Sequence, residues 1–304
     1  MKSNFEVVVI GSGSAGMTAA LYLKRANVDV SIIENYAPGG QLNRTARIDN
    51  YPGFYSIEGP SLALNMFTQI QELKIPYKQA TVKKIEEKDG KKIIKTDKED
   101  IICDAVIIAT GRRARELGLE KEKKLAGRGI SWCAVCDGPL YKGKDVIVIG
   151  GGNSAMDESN YLSPLVNKLT IIHRKDEFRG DRVLQSRIIN DKKIEIIYNS
   201  VVTKINEKNN YFSGVEIENI TTKEKKTIQA EGLFIYIGFD PVSDMVTEIG
   251  VNIDNGYILV DANMRTNIKG IYACGDIIKK ELYQIATAVG EGAKAAYSAI
   301  QDLN

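Results

Sequence analysis

Histidine is almost missing from this 304-residue chain, which has one, His173. Cysteine is scarce as well: of Cys103, Cys133, Cys136 and Cys274, only Cys133 and Cys136 have motif spacing. A structural zinc site takes about four ligands. One Cys-x-x-Cys without a second pair at ligand spacing falls short of that, so no metal is expected. Charge of one sign is lacking too, since 41 Lys and Arg stand against 39 Asp and Glu for a net of +2. This balance offers no broad basic face to nucleic acid or to an acidic membrane, and partners are expected to be small molecules or another protein. No apolar stretch approaches the length of a membrane span. The run "FEVVVIG" that follows Met1 to Asn4 is too short for a signal-peptide core and has no cleavage site. The expectation is a cytoplasmic protein, where stable structural disulfides are uncommon.

The length exceeds what one hydrophobic core usually organises, which predicts two domains. The segment Phe5 to Ile10 reads as a buried strand, followed by "GSGSAG" and an apolar pattern at helical spacing. In this strand, turn and helix, Gly11 permits the tight turn. Gly13 lets backbone approach a pyrophosphate, and Gly16 lets helix and strand pack closely. A second strand, "DVSIIE", ends in Glu34, 23 positions after Gly11, where a carboxylate accepts hydrogen bonds from an adenosine ribose. The pattern returns: "DVIVIG" leads into Gly150-x-Gly152-x-x-Ala155, a helix beginning near Ser154, and a strand "KLTIIH" ending at His173, again 23 positions on. Two such units with one internal spacing are far stronger evidence than one.

The two units differ where the ribose is read. Glu34 repels a 2′-phosphate, whereas His173, Arg174 and Lys175, with Arg179 beyond, attract one. The first unit is therefore expected to hold FAD or NAD and the second NADPH. "HRKDEFRGDR" also fits a solvated mixed-charge loop. "GIYACGD" followed by a small-residue helix completes the first unit at the C-terminal end, which gives domains at 1–113, 114–244 and 245–304, the second inserted into the first. "RRAREL" and "GFDPVSD" mark the crossovers. Runs such as "EEKDGKK" and "EKEKK" read as solvated turns.

Three readings meet at "WCAVCDGP". Zinc lacks ligands, as above. Small buried cysteines are a second reading, though Gly138-Pro139 argues against a long buried helix. The third is a redox dithiol beside two nucleotide sites, which suggests a relay from nicotinamide to flavin to disulfide to an outside disulfide. Asp137 adjoins the pair and is a candidate proton donor, or the cap of a turn.

At this point the chain resembles a known family over essentially its whole length: the low-molecular-weight thioredoxin reductases of the class II pyridine nucleotide-disulfide oxidoreductases. The resemblance rests on "GSGSAG", "GGQL…IDNYPGF" at 39–54, "ATGRR" at 109–113, "CAVCDG" at 133–138, "GGGNSAMD" at 150–157, "HRKDEFR" at 173–179 and "YACGD" at 272–276. It implies an α/β fold of two Rossmann-like, three-layer ββα nucleotide-binding domains, the NADPH domain inserted into the FAD domain. It implies FAD contacts from Gly11, Ser12, Gly13, Ser14, Ala15, Gly16, Glu34, Gly40, Gln41, Asn50, Asp276, Gln284, Ile285 and Ala286. NADPH contacts are implied from Gly150, Gly152, Asn153, Ser154, Ala155, His173, Arg174, Lys175 and Arg179. Cys133 and Cys136 are implied to form the redox disulfide, with Cys136 the neighbour of the flavin, in a homodimer that reduces thioredoxin. The family's domain rotation between half-reactions is implied as well.

Two positions depart from the family pattern. Lys175 stands where a second Arg is usual and binds phosphate without the bidentate fork. Tyr283 stands where an Arg often precedes the flavin-site Gln, and it is left without a role. The expected activity is NADPH-dependent thioredoxin-disulfide reduction. The alternatives are a related flavin disulfide reductase with another donor (ferredoxin or NADH) or another dithiol partner (glutaredoxin-like or peroxidase-linked), and, from a different class, a nucleotide-binding redox sensor.

Overall fold

The computed structural model describes residues 3–45 and 48–303. The chain forms two compact units, one from the segments up to Arg113 and from Asp240 onward, the other Ala114–Phe239. The return crossover thus falls at 239 rather than at 244. The reason lies in the first unit's packing, where Met245 and Val246 are buried with Ile85 and Ile258 and Val242 N donates to Gly111 O.

In the first unit five strands run parallel in the order Tyr77–Gln79, Val30–Glu34, Asn4–Ile10, Asp100–Ile108, Ile271–Ala273. Their Val and Ile runs follow from having both faces covered. Val7, Val9, Ile32 and Ile107 pack with Ala19, Leu23, Ala295 and Ala299 of helices Ser14–Arg25 and Ile285–Leu303. Val8, Ile10, Ile33 and Val106 pack on the other side with Ile85 and Ile94 of the antiparallel strands Val82–Lys88 and Lys91–Thr96.

The second unit repeats the plan. Its parallel sheet has the order Ile194–Ile197, Lys168–Ile172, Asp145–Gly150, Gly232–Tyr236, Ile130–Ser131. One face carries Val146, Val148 and Leu169 against Ala155, Met156, Leu162 and Ile188 of the helices Asn153–Leu162 and Arg182–Asn190. The other carries Ile147, Ile149, Leu233 and Ile235 against Ile205, Phe212, Val215 and Ile217 of a three-stranded antiparallel sheet. Each unit is therefore a three-layer α/β domain of Rossmann type. In both, the chain leaves the strand before the glycine turn, Asn4–Ile10 or Asp145–Gly150, for two outer neighbours and then crosses back to its other side, which opens a crevice at the carboxyl ends. No helix among the described residues is long and apolar enough to cross a membrane.

Two charged runs form the expected turns and are largely exposed, with one buried side chain in each. "EEKDGKK" is a hairpin around Asp89-Gly90, both at positive φ, in which the Lys92 side chain is 3% exposed and ion-paired with Glu87. In "EKEKK" Glu122 is 1% exposed and accepts Leu117 N and Gly118 N at 2.8 Å and Leu119 N at 3.3 Å. A buried carboxylate is tolerated because backbone N–H groups replace its water.

The C-terminal helix is tied to the strand that ends near Asp276. Asp302 accepts from Arg265 Nε and Nη2, each at 2.8 Å, and from the hydroxyl of fully buried Tyr272 at 2.7 Å. Arg265 holds the Asp302 carboxyl below its ordinary range. A depressed carboxyl contributes stability above its unfolded value and loses it as pH falls through that range. Asp302→Ala should lower the unfolding free energy by about 1 kcal/mol at pH 7, partial exposure considered. In urea titrations the gap to wild type should narrow as pH falls below about 4.

Candidate active site

The strand registers bring the expected nucleotide residues to one edge in each unit. Ile10 pairs with Ile33 and Ile108, and Ile108 with Ala273, so Gly11, Glu34, Ala109 and Cys274 follow side by side. In the second unit Ile149 pairs with Ile172 and Gly150 with Tyr236, which aligns Gly150, His173 and Tyr236.

The glycines divide their tasks as their spacing suggests. Gly11 has φ +103°, and a Cβ there would lie 2.4 Å from Ala109 O; Gly150 has φ +146°, with Tyr236 O at 2.3 Å. A Cβ on Gly16 would meet Gly11 O at 2.0 Å, and the Ala155 methyl already stands against Gly150. Gly13 and Gly152 have nothing within 4 Å of a Cβ position. Both therefore leave bare backbone at a helix N-terminus, the cradle a pyrophosphate fits. Gly40, at positive φ, would bring a Cβ to 3.3 Å from Gly13 Cα, while Ala15 backbone meets Gly292 of the C-terminal helix. Ser14 opens the first helix and Asn153 the second, with Ser154 exposed beside it.

The two positions expected to read a ribose behave differently. Glu34 Oε2 accepts Ser12 N at 2.9 Å and Ser12 Oγ at 3.1 Å, while Oε1 accepts Asn35 N at 2.8 Å and Tyr36 N at 3.0 Å. His173 is 3% exposed, its ring lies against Gly151, and its Nε2 is 3.0 Å from Glu177 O. Burial, reinforced by the nearby cations of Arg179, Arg174 and Lys175, lowers its pKa against the opposing pull of the Glu177 carbonyl. The histidine thus braces the loop, while Arg174, Lys175 and Arg179 are exposed and form no ion pair among the described residues. Asn153 Oδ1 accepts Asp181 N at 2.7 Å, which ties that basic loop to the helix start.

Cys133 and Cys136 form a disulfide. They follow strand Ile130–Ser131, which pairs with Leu233 and Phe234, so the pair sits on the same carboxyl edge as Gly150. The short helix Ala134–Asp137 is held by Ala134 N donating to the Tyr236 hydroxyl at 2.8 Å and by Cys136 N donating to Cys133 Sγ at 3.1 Å. Ser131 Oγ accepts Cys133 N at 3.0 Å. Cys133 is 8% exposed and Cys136 lies open. The Asp137 side chain does not cap the turn Gly138–Tyr141, so the turn-capping reading fails. Cys103 and Cys274 are buried, and burial pushes the Cys103 thiol up to about 12 and that of Cys274 up as well. Neither suits thiolate chemistry. Among the described residues no group of three His, Cys, Asp or Glu is placed to hold a metal.

The remaining flavin-site expectations converge in the first unit. Asn50 Nδ2 donates to Gln284 Oε1 at 3.0 Å, and Gln41 Nε2 to Arg112 O at 2.8 Å. Ile285 packs near Leu42 and Ile48, with Ala286 exposed beside it. Asp276, in the turn Gly275–Ile277, accepts Arg112 Nη2 at 2.8 Å and Nε at 3.2 Å. Reading the sequence did not assign Arg112, Lys280 or Glu291, although Arg112 directly follows "ATG". Lys280 Nζ lies 2.7 Å from Glu291 and 3.6 Å from Asp276. Glu291 also accepts Gly275 N at 3.0 Å, and burial raises its pKa despite Lys280.

These glycine environments give a paired expectation. Gly16→Ala should cost roughly 1–3 kcal/mol of unfolding free energy, as overpacking against backbone does. Gly13→Ala should leave the thermal midpoint within a degree or so of wild type, because its Cβ enters open space.

The sequence profile of the Pyridine nucleotide-disulphide oxidoreductase family matches residues 5–292. Thioredoxin reductase of Bacillus subtilis is 40% identical over 97% of this chain and 93% of its own. The crystal structure of Lactococcus lactis thioredoxin reductase, at 40% identity, covers 98% of this chain and 99% of its own with a TM-score of 0.93. A ferredoxin-flavin thioredoxin reductase from Clostridium acetobutylicum matches at 29% identity over 99% of this chain and 98% of its own, TM-score 0.55. With its two glycine cradles, its dithiol on the second sheet's carboxyl edge and this likeness along almost the whole chain, the protein belongs to the pyridine nucleotide-disulphide oxidoreductases, a flavoprotein family, and within it to the low-molecular-weight thioredoxin reductases.

Proposed function

We propose that the chain reduces the disulfide of thioredoxin or a thioredoxin-like dithiol protein, drawing electrons from NADPH through FAD and the Cys133–Cys136 pair. FAD, when bound, supplies two-electron transfer between a nicotinamide and a disulfide. The observation that carries the reading is the position of the disulfide, one strand from a glycine cradle on the same carboxyl edge.

The chain's own groups account for the exchange step. In the reduced pair, one thiolate attacks a sulfur of the partner's disulfide, forming a mixed disulfide and expelling the partner's other sulfur as thiolate. The second cysteine then attacks the mixed disulfide, re-forming Cys133–Cys136 and releasing the partner as a dithiol. Two electrons and two protons pass to the partner in all. Asp137, beside the pair and free of a capping role, is the group we assign to hold and deliver a proton there. The pair's alternation suits a reducing compartment such as the cytoplasm. A homodimer is proposed on the family resemblance alone.

For FAD, the first unit offers the Gly13 cradle and Glu34. All four acceptor positions of that carboxylate are filled, three by backbone N–H and one by the Ser12 hydroxyl. A ribose hydroxyl would bond Glu34 in place of the Ser12 hydroxyl, the partner that can rotate away. For NADPH, the open Gly152 loop and the unpaired Arg174, Lys175 and Arg179 support a 2′-phosphate reader, in which Lys175 adds charge and the two arginines add geometry. These unpaired cations favour NADPH over ferredoxin as donor.

Arg174→Ala should raise the Michaelis constant for NADPH by about tenfold or more while changing that for NADH less than twofold. Equal effects would remove the phosphate role, and a yellow protein bleached by reduced ferredoxin but not by NADPH would replace the donor. Cys133→Ser and Cys136→Ser should each abolish thioredoxin reduction while flavin reduction by NADPH persists. Thioredoxin turnover retained in either variant would refute the relay.

A further inference from the structure

Tyr283 is the position that the family pattern leaves unexplained in this chain, and the structure surrounds it with charge. Arg112 Cζ lies 4.1 Å from the centre of its ring and Lys280 Nζ 5.4 Å. The Tyr257 ring closes another side at 5.8 Å. Both cations serve the turn that carries Asp276. Arg112 places two N–H groups on Asp276 Oδ2, whereas Lys280 bonds Glu291 and stays 3.6 Å from Asp276 Oδ1. Asp276 Oδ1 is thus left without a hydrogen-bond donor among the described residues, and its carboxylate is oriented by Arg112.

We propose that Tyr283 is a positioning residue of the FAD site, whose ring holds the Arg112 guanidinium so that Arg112 fixes Asp276 with Oδ1 presented to a hydroxyl of the bound FAD. The proposal rests on the flavin reading above. A ring face attracts a guanidinium at this distance electrostatically, and more strongly where water is partly excluded. The Arg112 side chain is 19% exposed and that of Asp276 21%. Two like charges near one carboxylate pair repel each other, and the ring offsets that repulsion from the side that the carboxylates leave open. Arg112 also neutralises Asp276, which lowers the cost of bringing an anionic pyrophosphate into the same site. An arginine at 283 would set a second guanidinium against Arg112, so in this chain the cation comes from 112 and the ring from 283.

The test is FAD affinity of the stripped protein, followed by quenching of flavin fluorescence, with the apoprotein melting temperature measured alongside. Tyr283→Phe should bind within about twofold of wild type, because the ring is retained, and Tyr283→Leu about 3–10-fold more weakly. Tyr283→Arg should be weaker than Tyr283→Leu. In an Arg112→Gln background, Tyr283→Leu should add less than about twofold, because the ring acts through the guanidinium. Melting temperatures of the single variants should stay near wild type, since Tyr283 is partly exposed. Unchanged affinity in Tyr283→Leu, or an equal loss with and without Arg112, would overturn the role of Tyr283. A stripped wild type that takes up no FAD would instead overturn the flavin reading itself.

Discussion

A Cβ on Gly11 would stand 2.4 Å from the carbonyl oxygen of Ala109, and one on Gly150 would stand 2.3 Å from that of Tyr236. This near contact between the exit of the first strand and the end of the strand beside it recurs in both units. It requires a residue without a side chain at positive φ, and it lets the following helix begin directly over the sheet's carboxyl edge. Gly16 and Ala155 then keep helix and strand close, whereas Gly13 and Gly152 leave the backbone bare. The nucleotide cradle, the alignment of Glu34 and His173 beside it, and the crevice at the strand-order reversal all follow from that one approach. A bulkier residue at either turn would push the helix off its strand and close the cradle.

The second unit adds a dithiol to the same edge. Its sheet extends past Gly232–Tyr236 to the two-residue strand Ile130–Ser131, and the chain beyond that short pairing is anchored where Ala134 N, next to Cys133, donates to the Tyr236 hydroxyl. A four-residue helix then brings Cys136 back to Cys133. Gly138 lies close to Leu162, whose methyl would be 2.9 Å from a Cβ there, which seats the redox turn on the helix that follows the second glycine loop. The disulfide and the second glycine loop are thereby borne by one scaffold. The other two cysteines, packed into the first unit's cores with raised pKa values, stay out of the chemistry.

Much of this was legible beforehand because the relevant signals are local. Glycines at fixed offsets, β-branched strands covered on both faces, and a Cys-x-x-Cys followed by Gly-Pro each report on a few neighbouring residues. What local pattern does not report is the side chain whose role depends on partners elsewhere. "EKEKK" looks solvated by composition, yet Glu122 turns inward to collect three backbone N–H groups. Lys92 is buried because its strand lies against the long strand Asp100–Ile108. His173 occupies the ribose position by count, but its ring lies against Gly151 and the Glu177 carbonyl, whereas Arg174, Lys175 and Arg179 are exposed. The return crossover came earlier than its polar composition suggested, because Met245 and Val246 belong to the first core.

By itself the sequence determined that there are two glycine-turn units of one design, that their ribose positions differ in charge, and that a single cysteine pair is available for redox chemistry. Backbone geometry and charge at fixed spacing suffice for those statements. Only the tertiary structure decided that Arg112, Tyr283, Lys280, Asp276 and Glu291, from three separated stretches of chain, form one charged cluster. The physical reason is that hydrogen bonds and cation–π contacts across such separations depend on strand register and turn direction, which no local pattern encodes.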